Sequence, residues 1–382
     1  MRSALGVLTC LLMPAPAWAS AGGVAETLQV HGFLSQALIV SDDNDFFGDS
    51  SRGAGSLDYT EMGLNASLRP TDRLLLSAQV LSRRAGDENE DYSPTLDYGL
   101  LDYQFLSDDQ RVAGFQLGKL KHPFGLYNRT RDMPFTRPSI LLPQSIYFDR
   151  TRVPALSSLG VSLYSEERVP GGTLYLQAGV GEVNADESVA RAILPPGFSA
   201  RMEGELSTLA QIRYESGDGE VVAAFTIADA NIDVSRTPLD GRYSLRPAVF
   251  SLQYNQEYWS LTGEYAIRRQ QWAPDEGAAL HKTGESWYVQ YTRRFARDWQ
   301  WLVRYDSLVN DTDSSSREIG GGRYANYARD WTGGIRWNVS PRLLLAAEYH
   351  NVEGTGWLSG DESASGYSRY WDMLLFQAAL RF

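Results

Sequence analysis

Seven cations crowd one stretch of this chain, residues 119–156: Lys119, Lys121, Arg129, Arg131, Arg137, Arg150 and Arg152. Only Asp132 and Asp149 oppose them, so the stretch carries +5 in a chain whose formal charge is -12. Guanidinium groups bind carboxylate and phosphate through paired hydrogen bonds, and cations set in low-dielectric walls raise the local anion concentration. The stretch also holds Pro123, Pro134, Pro138, Pro143 and Pro154, whose fixed φ and missing N–H forbid a long strand. Phe135, Ile140, Leu141, Leu142, Ile146, Tyr147 and Phe148 make it too apolar for a solvated loop. It must pack on something. The expectation is a loop folded inside a hollow wall, its cations narrowing a passage for anions. The competing expectation is that the cations pair with Glu61, Glu264, Asp306 or Glu348 and hold the loop in place. Arg213, Arg268, Arg304 and Arg336 lie on the same inward parity as those carboxylates and extend the possible positive track.

Other chemistry is sparse. The four histidines are His31, His122, His281 and His350, and the sole cysteine is Cys10. His31 and His350 share the inward parity, but no serine stands in a recognisable nucleophile motif, so an outer-membrane hydrolase is a minor alternative to a non-enzymatic role. Asp42, Asp43 and Asp45 are weak candidates for a divalent ion, because the spacing lacks a full Ca²⁺ loop and its distal Glu. They read better as a solvated acidic rim together with Asp49, Asp87, Glu88, Glu90 and Asp91. No cofactor is implied. The acidic balance argues against nucleic acid as a partner.

The elements around the basic stretch alternate with period two. Met62, Leu64, Ala66 and Leu68 interleave with Glu61, Gly63, Asn65, Ser67 and Arg69, and Leu174, Leu176, Ala178 and Val180 with Tyr175, Gln177 and Gly179. One face of each strand is apolar and the other polar. Sixteen such segments centre near Leu34, Leu64, Ala78, Leu101, Phe115, Val161, Leu176, Ala210, Ala223, Phe250, Leu261, Val289, Val303, Gly333, Leu345 and Phe376. Tight-turn sequences such as Arg69-Pro70-Thr71-Asp72, Ser107-Asp108-Asp109-Gln110 and Ser216-Gly217-Asp218-Gly219 alternate with longer polar connections such as 41–56 and 310–326. Mean hydropathy is negative, yet there are 21 Tyr, 10 Trp and 35 Gly. A transmembrane barrel reconciles these facts, since only alternate residues meet lipid. Trp259, Trp301 and Trp337 near short turns, and Trp287 and Trp331 nearer long loops, suit aromatic girdles. The first five strands face outward without Trp. Either they pack on neighbouring subunits or Tyr and Phe anchor them.

Both ends fit export. Arg2, the apolar run Ala4 to Met13 and Ala17-Trp18-Ala19 read as a signal peptide cleaved after Ala19. A lipoprotein at Cys10 is a weaker alternative, since Thr9 is bulky for that site. The mature chain, 20–382, is one barrel domain without cysteine. Its last strand carries Phe376, Ala378, Leu380 and Phe382 on one face, with Phe376, Leu380 and Phe382 as the membrane-insertion signal.

This layout resembles the sixteen-stranded trimeric porins of Gram-negative outer membranes. The run Gly118-Lys119-Leu120-Lys121-His122-Pro123-Phe124-Gly125-Leu126 is similar to the strand-to-loop corner of their phosphate-selective and related anion-preferring members. The resemblance implies a cell-outer-membrane location, an up-and-down antiparallel β-barrel with short periplasmic turns and long outer loops, and a third loop folded into the lumen. It further implies a homotrimer embedded in outer-membrane lipid and lipopolysaccharide, assembled by the barrel-assembly machinery, that passes small anionic solutes. The general diffusion porins depart from it, their third loop being usually acidic. A barrel that binds an amphiphile is the remaining alternative, to which Ile140-Leu141-Leu142 would contribute.

Overall fold

The computed structural model describes residues 27–86, 92–149, 152–185, 189–190, 200–236, 240–313, 324–358 and 366–382. The proposed signal peptide lies outside the described residues, as does Arg150. The strands are β1 (Gln29–Ser41), β2 (Ser56–Thr71), β3 (Leu74–Ala85), β4 (Thr95–Ser107), β5 (Arg111–Lys121), β6 (Ser157–Val169), β7 (Gly172–Val183), β8 (Arg201–Gly204) and β9 (Leu206–Ser216). They continue as β10 (Val221–Ser235), β11 (Gly241–Asn255), β12 (Trp259–Pro274), β13 (Leu280–Ala296), β14 (Trp299–Val309), β15 (Tyr327–Ser340), β16 (Leu343–Gly354) and β17 (Tyr370–Arg381). β8 and β9 both pair antiparallel with β10 and are two pieces of one stave interrupted at Glu205. The wall therefore has sixteen staves, and each predicted strand centre falls within one of them.

Each strand pairs with its neighbour in sequence, and β1 closes the ring on β17, with Leu38 opposite Phe376 and Leu34 opposite Leu380. Closure removes the unpaired edges that an open sheet would present to lipid. At the seam Gly32 and Phe382 exchange backbone hydrogen bonds of 3.1 and 3.0 Å. Exposure follows the predicted parity. Leu159, Leu163 and Phe250 are 63%, 61% and 52% exposed, whereas inward-facing Glu61 is 1% exposed. Phe376 and Leu380 face outward, as does Phe382 beyond the end of β17. The outward tryptophans form stacks with their cross-strand neighbours, as in Trp299 and Trp337, 5.0 Å apart and nearly coplanar.

The turns use the expected chemistry. Asp108 accepts hydrogen bonds from the N–H groups of Gln110 and Arg111, and Asp218 accepts from the Ser216 hydroxyl and the Glu220 N–H. The outer connections between β10 and β11 and between β12 and β13 are short, because the strands there run to 15, 16 and 17 residues.

The interior departs from the expected polar lining at its outer end. Ala37, Ile39, Tyr59, Leu308, Val352, Trp371, Met373 and Leu375 point inward and form an apolar core with Phe46, Trp357 and Leu358 from the outer loops and Ile140 and Leu141 from the basic stretch. Asp42 and Asp45 of the acidic rim join this closure, while Asp87, Glu88, Glu90 and Asp91 lie outside the described residues. Asp45 accepts from the Ser51 N–H and hydroxyl, and Asp42 from the Asp372 N–H. Among the described residues no group of acidic or histidine side chains is arranged to hold a metal ion.

The third loop as candidate functional site

The chain leaves β5 at Lys121 and returns at Arg152–Leu156, a short helix (α1) that runs directly into β6. Between them an irregular backbone lies against the inward face of the wall. Backbone polar groups at membrane depth need partners, and the wall supplies them around most of the circumference. Gln211 of β9 donates to Gly125 O, and Thr226 of β10 to Pro123 O. Glu264 of β12 accepts from Leu126 N at 3.0 Å and from Tyr147 Oη at 2.6 Å. Asp306 of β14 accepts from Ser145 N, and Glu348 of β16 from Ile140 N and Leu141 N. Carbonyls are held by wall arginines. Arg304 of β14 donates to Leu141 O and Ser139 Oγ at 3.1 Å, and Arg336 of β15 donates to Pro134, Phe135 and Arg137 carbonyls at 2.7 to 3.2 Å. Arg381 of β17 lies 4.4 Å from the centre of the Phe135 ring.

Gly125 shows why the local sequence is needed. Its φ of +57° is open to glycine at little cost, and it turns the N–H groups of Leu126 and Tyr127 onto the Tyr147 hydroxyl at 2.8 and 2.9 Å. A side chain there would meet that hydroxyl at 2.5 Å. Around this point Leu142, Ile146 and Tyr147 pack with Val249, Ala266 and Tyr288 of the wall.

The cations of the loop are mostly spoken for. Arg137 pairs with Glu61 of β2 at 2.6 Å, and Arg83 of β3 bridges Glu61 and Asp149 at 3.3 and 2.9 Å. Arg131 reaches Asp149, Arg152 reaches Asp132 and Asp149, and Lys121 reaches Asp97 of β4 and Asp132. Five cations and four carboxylates thus alternate in one buried network. Burial disfavours the Arg137 charge, but Glu61, Tyr59 and Asp149 together outweigh it and raise the pKa above its ordinary value. A buried charge has to be paired, and that need decides the placement.

The expectation that the whole basic stretch faces the passage is therefore corrected. Lys121, Arg131, Arg137 and Arg152 are in the network, and Arg304 and Arg336 clamp loop carbonyls. Lys119 stands opposite outward-facing Leu159 in the β5–β6 register, and its Nζ donates to Leu96 O at 2.5 Å, so it is not lumenal. Ile140, Leu141 and Leu142 are consumed by packing. Two of the candidate cations keep contact with water on the inward side. Arg129 is exposed at the loop's free edge beside Thr130 and Thr136, and donates to neutral Gln177 of β7. Arg213 of β9 pairs with Glu215 at 2.8 Å and lies over the Tyr175 ring. The charge acting most strongly on Arg129 is that of Arg213, a second cation.

The four carboxylates proposed as loop anchors, Glu61, Glu264, Asp306 and Glu348, all bind the loop, although only Glu61 does so through a cation. Sequence reasoning missed Arg83 and Asp97. Both lie on strands near the loop's two roots, and nothing in their local sequence marks them. His350 is fully buried, with Nδ1 2.8 Å from Asp330 and Nε2 3.4 Å from Glu348, out of reach of a substrate.

The fold is that of the outer-membrane porins. The chain superposes on OmpT, an outer membrane protein of Vibrio cholerae in its trimer form, with a TM-score of 0.61 at 12% identity, covering 93% of this chain and 99% of that one. The outer membrane channel DcaP of Acinetobacter baumannii gives 0.61 at 12% identity, over 93% and 97%. The anion-selective porin from Comamonas acidovorans gives 0.59 at 11% identity, over 93% and 99%. No family model matches the sequence, and no curated protein does. A closed sixteen-stave barrel with an outward apolar face belongs in the outer membrane of a Gram-negative bacterium.

Proposed function

We propose that this protein is a diffusion channel for small hydrophilic anions, and that solutes pass along the exposed edge of the third loop at Arg129 and Arg213. The observation that carries the reading is the pairing state of Arg129. It is an exposed cation whose hydrogen-bond partner, Gln177, is neutral. Every other cation of the loop within the described residues is neutralised by a carboxylate or removed from the lumen. An anion between Arg129 and Arg213 relieves their repulsion, whereas a cation meets it. The likeness to a porin described as anion-selective supports the preference, and the likeness to a channel supports conduction.

The same reading places the protein in the membrane as a homotrimer, as the trimer form of the Vibrio protein suggests. The outward faces of β2 to β7 carry no Trp and, apart from Tyr103, Phe105 and Phe115, are mainly aliphatic and small, which suits subunit contacts, while the Trp-rich β12 to β15 suit lipid. Residues 1–19 serve as its export signal, and Phe376, Leu380 and Phe382 as the signal read by the assembly machinery.

The test is the reversal potential of single channels in a planar bilayer under a salt gradient. The native channel should favour anions, and Arg129→Ala with Arg213→Ala should move the potential towards zero while conductance is kept. A cation-favouring native channel would overturn the reading, and so would a double variant with unchanged selectivity.

A further inference from the structure

Behind the root of the third loop lies a second feature, which shares Gln177 of the wall with the proposed anion path. A cavity of about 1040 Å³, counting the part open to solvent, separates the loop from the β6–β12 wall. Its lining is mainly apolar, with Phe124, Ile146, Phe148, Leu209, Ala230 and Leu245 among the contributors. Among the described residues its charged and titratable lining is Lys121, His122, Arg131 and Arg268, with no Asp or Glu. Lys121 and Arg131 are compensated from the far side by Asp97, Asp132 and Asp149. Arg268 of β12 differs. Its Nη2 donates to Val309 O at 3.3 Å, passing over Gly284, where a side chain would crowd it. No carboxylate among the described residues lies within ion-pair distance of it. The Nε–H groups of both Arg268 and Arg131 are buried without an acceptor, and Arg131 is 3% exposed. Buried donors left without acceptors are rare in folded proteins because each costs its full desolvation.

We infer that this cavity is a binding site for an amphiphilic monocarboxylate, its apolar body against the loop root and its carboxylate on Arg268. The complementarity is twofold. An apolar wall rejects inorganic anions, which lose hydration there without recompense. A cationic end without a carboxylate of its own favours a carboxylate over a neutral amphiphile of equal length. Ligand pockets are commonly apolar with a few convergent polar groups. The inference does not rest on anion conduction, since Arg129 and Arg213 do not line this space.

The test is equilibrium dialysis of radiolabelled octanoate against the full-length protein in nanodiscs, with empty nanodiscs subtracted. Saturable binding is expected at one site per chain, with octanol at least tenfold weaker and inorganic phosphate failing to compete. Arg268→Met should weaken octanoate at least tenfold and leave octanol unchanged. Arg268→Lys should retain most of the binding, and Ala230→Phe, which fills the cavity, should abolish it. Non-saturable uptake, equal binding of octanol, or competition by phosphate at the octanoate concentration range would each overturn the assignment using the native protein alone. Native-like binding by Arg268→Met and Ala230→Phe would overturn its location.

Discussion

Replacing Glu61 by Gln should release the third loop from β2. The Glu61 carboxylate is 2.6 Å from Arg137 and 3.3 Å from Arg83, and its side chain and that of Arg137 are almost wholly buried. Glutamine keeps the shape and one acceptor oxygen but leaves Arg137 without its ion-pair partner and Arg83 with Asp149, which Arg131 and Arg152 already share. Breaking one side of a buried ion pair costs about 3–5 kcal/mol. At about 1.4 kcal/mol per decade, the ratio of docked to undocked loop falls by roughly two to three and a half orders of magnitude. The anchors on β12, β14 and β16 still hold Leu126 and 140–147, and Arg336 of β15 still holds carbonyls of 134–137, so the segment 129–138 loosens without leaving the wall. In single-channel records this should appear as added current noise and brief conductance steps, and in the folded protein as faster amide exchange over 129–138. Replacing both partners, Glu61→Met with Arg137→Met, should recover much of the quiet native record, because an apolar pair of similar volume does without the charges. A quiet record from Glu61→Gln, or a double variant no better than the single one, would refute the view that ion pairing with the wall fixes the loop.

Three further outcomes follow from the same contacts. Tyr147→Phe removes a hydroxyl that donates to Glu264 and accepts from two backbone N–H groups, whereas Tyr288→Phe removes one bond to Glu264. The former should lower the thermal midpoint more, with a cost of about 1–3 kcal/mol, and equal midpoints would contradict this. Burial depresses the His122 imidazole to about 4. Its folded value lies below the ordinary 6.5, so its contribution is fully present above that pH and is lost as pH falls towards 4. Protection of the loop-root amides, taken relative to their intrinsic exchange rate at each pH, should therefore fall between pH 7 and pH 4.5 in the native protein and fall less in His122→Gln. At the seam, a side chain on Gly32 would sit 2.3 Å from the Phe382 ring. Gly32→Val should displace that ring and reduce folded, heat-modifiable barrel in outer membranes, and unchanged yield would show that the ring's position is immaterial.

The wall was legible because lipid and water impose opposite demands on alternate residues. That signal repeats in Met62 to Leu68, in Leu174 to Val180 and in the last strand, and each strand needs no knowledge of its partner. The loop was legible too, since five prolines and a run of apolar residues exclude both a strand and a solvated excursion. The fate of each cation was not. Arg137 and Glu61 are 76 residues apart, and parity gives the face of Glu61 but not its height or its neighbour. Lys119 was misplaced because the loop's basic character was extended back into β5, where the register turns it outward. The apolar outer core had a faint signature. Trp371, Met373, Leu374, Leu375 and Phe376 break the alternation, and an apolar run without alternation signals burial on both faces.

The third loop's anchors also set an order of events. Ile140 and Glu348 are 208 residues apart, and Leu126 and Glu264 are 138 apart. Contacts so distant in sequence form late, because the intervening chain loses its freedom before they reward it. Here the delay is sharper than entropy alone requires, since the acceptors on β12, β14 and β16 take their positions only when the barrel has rolled up. The conduit is consequently finished from the outside in. A barrel that has closed with a wrong stave offset would present mismatched acceptors, and its loop would find no resting place. The inward-folded loop would thereby act as a check on barrel closure.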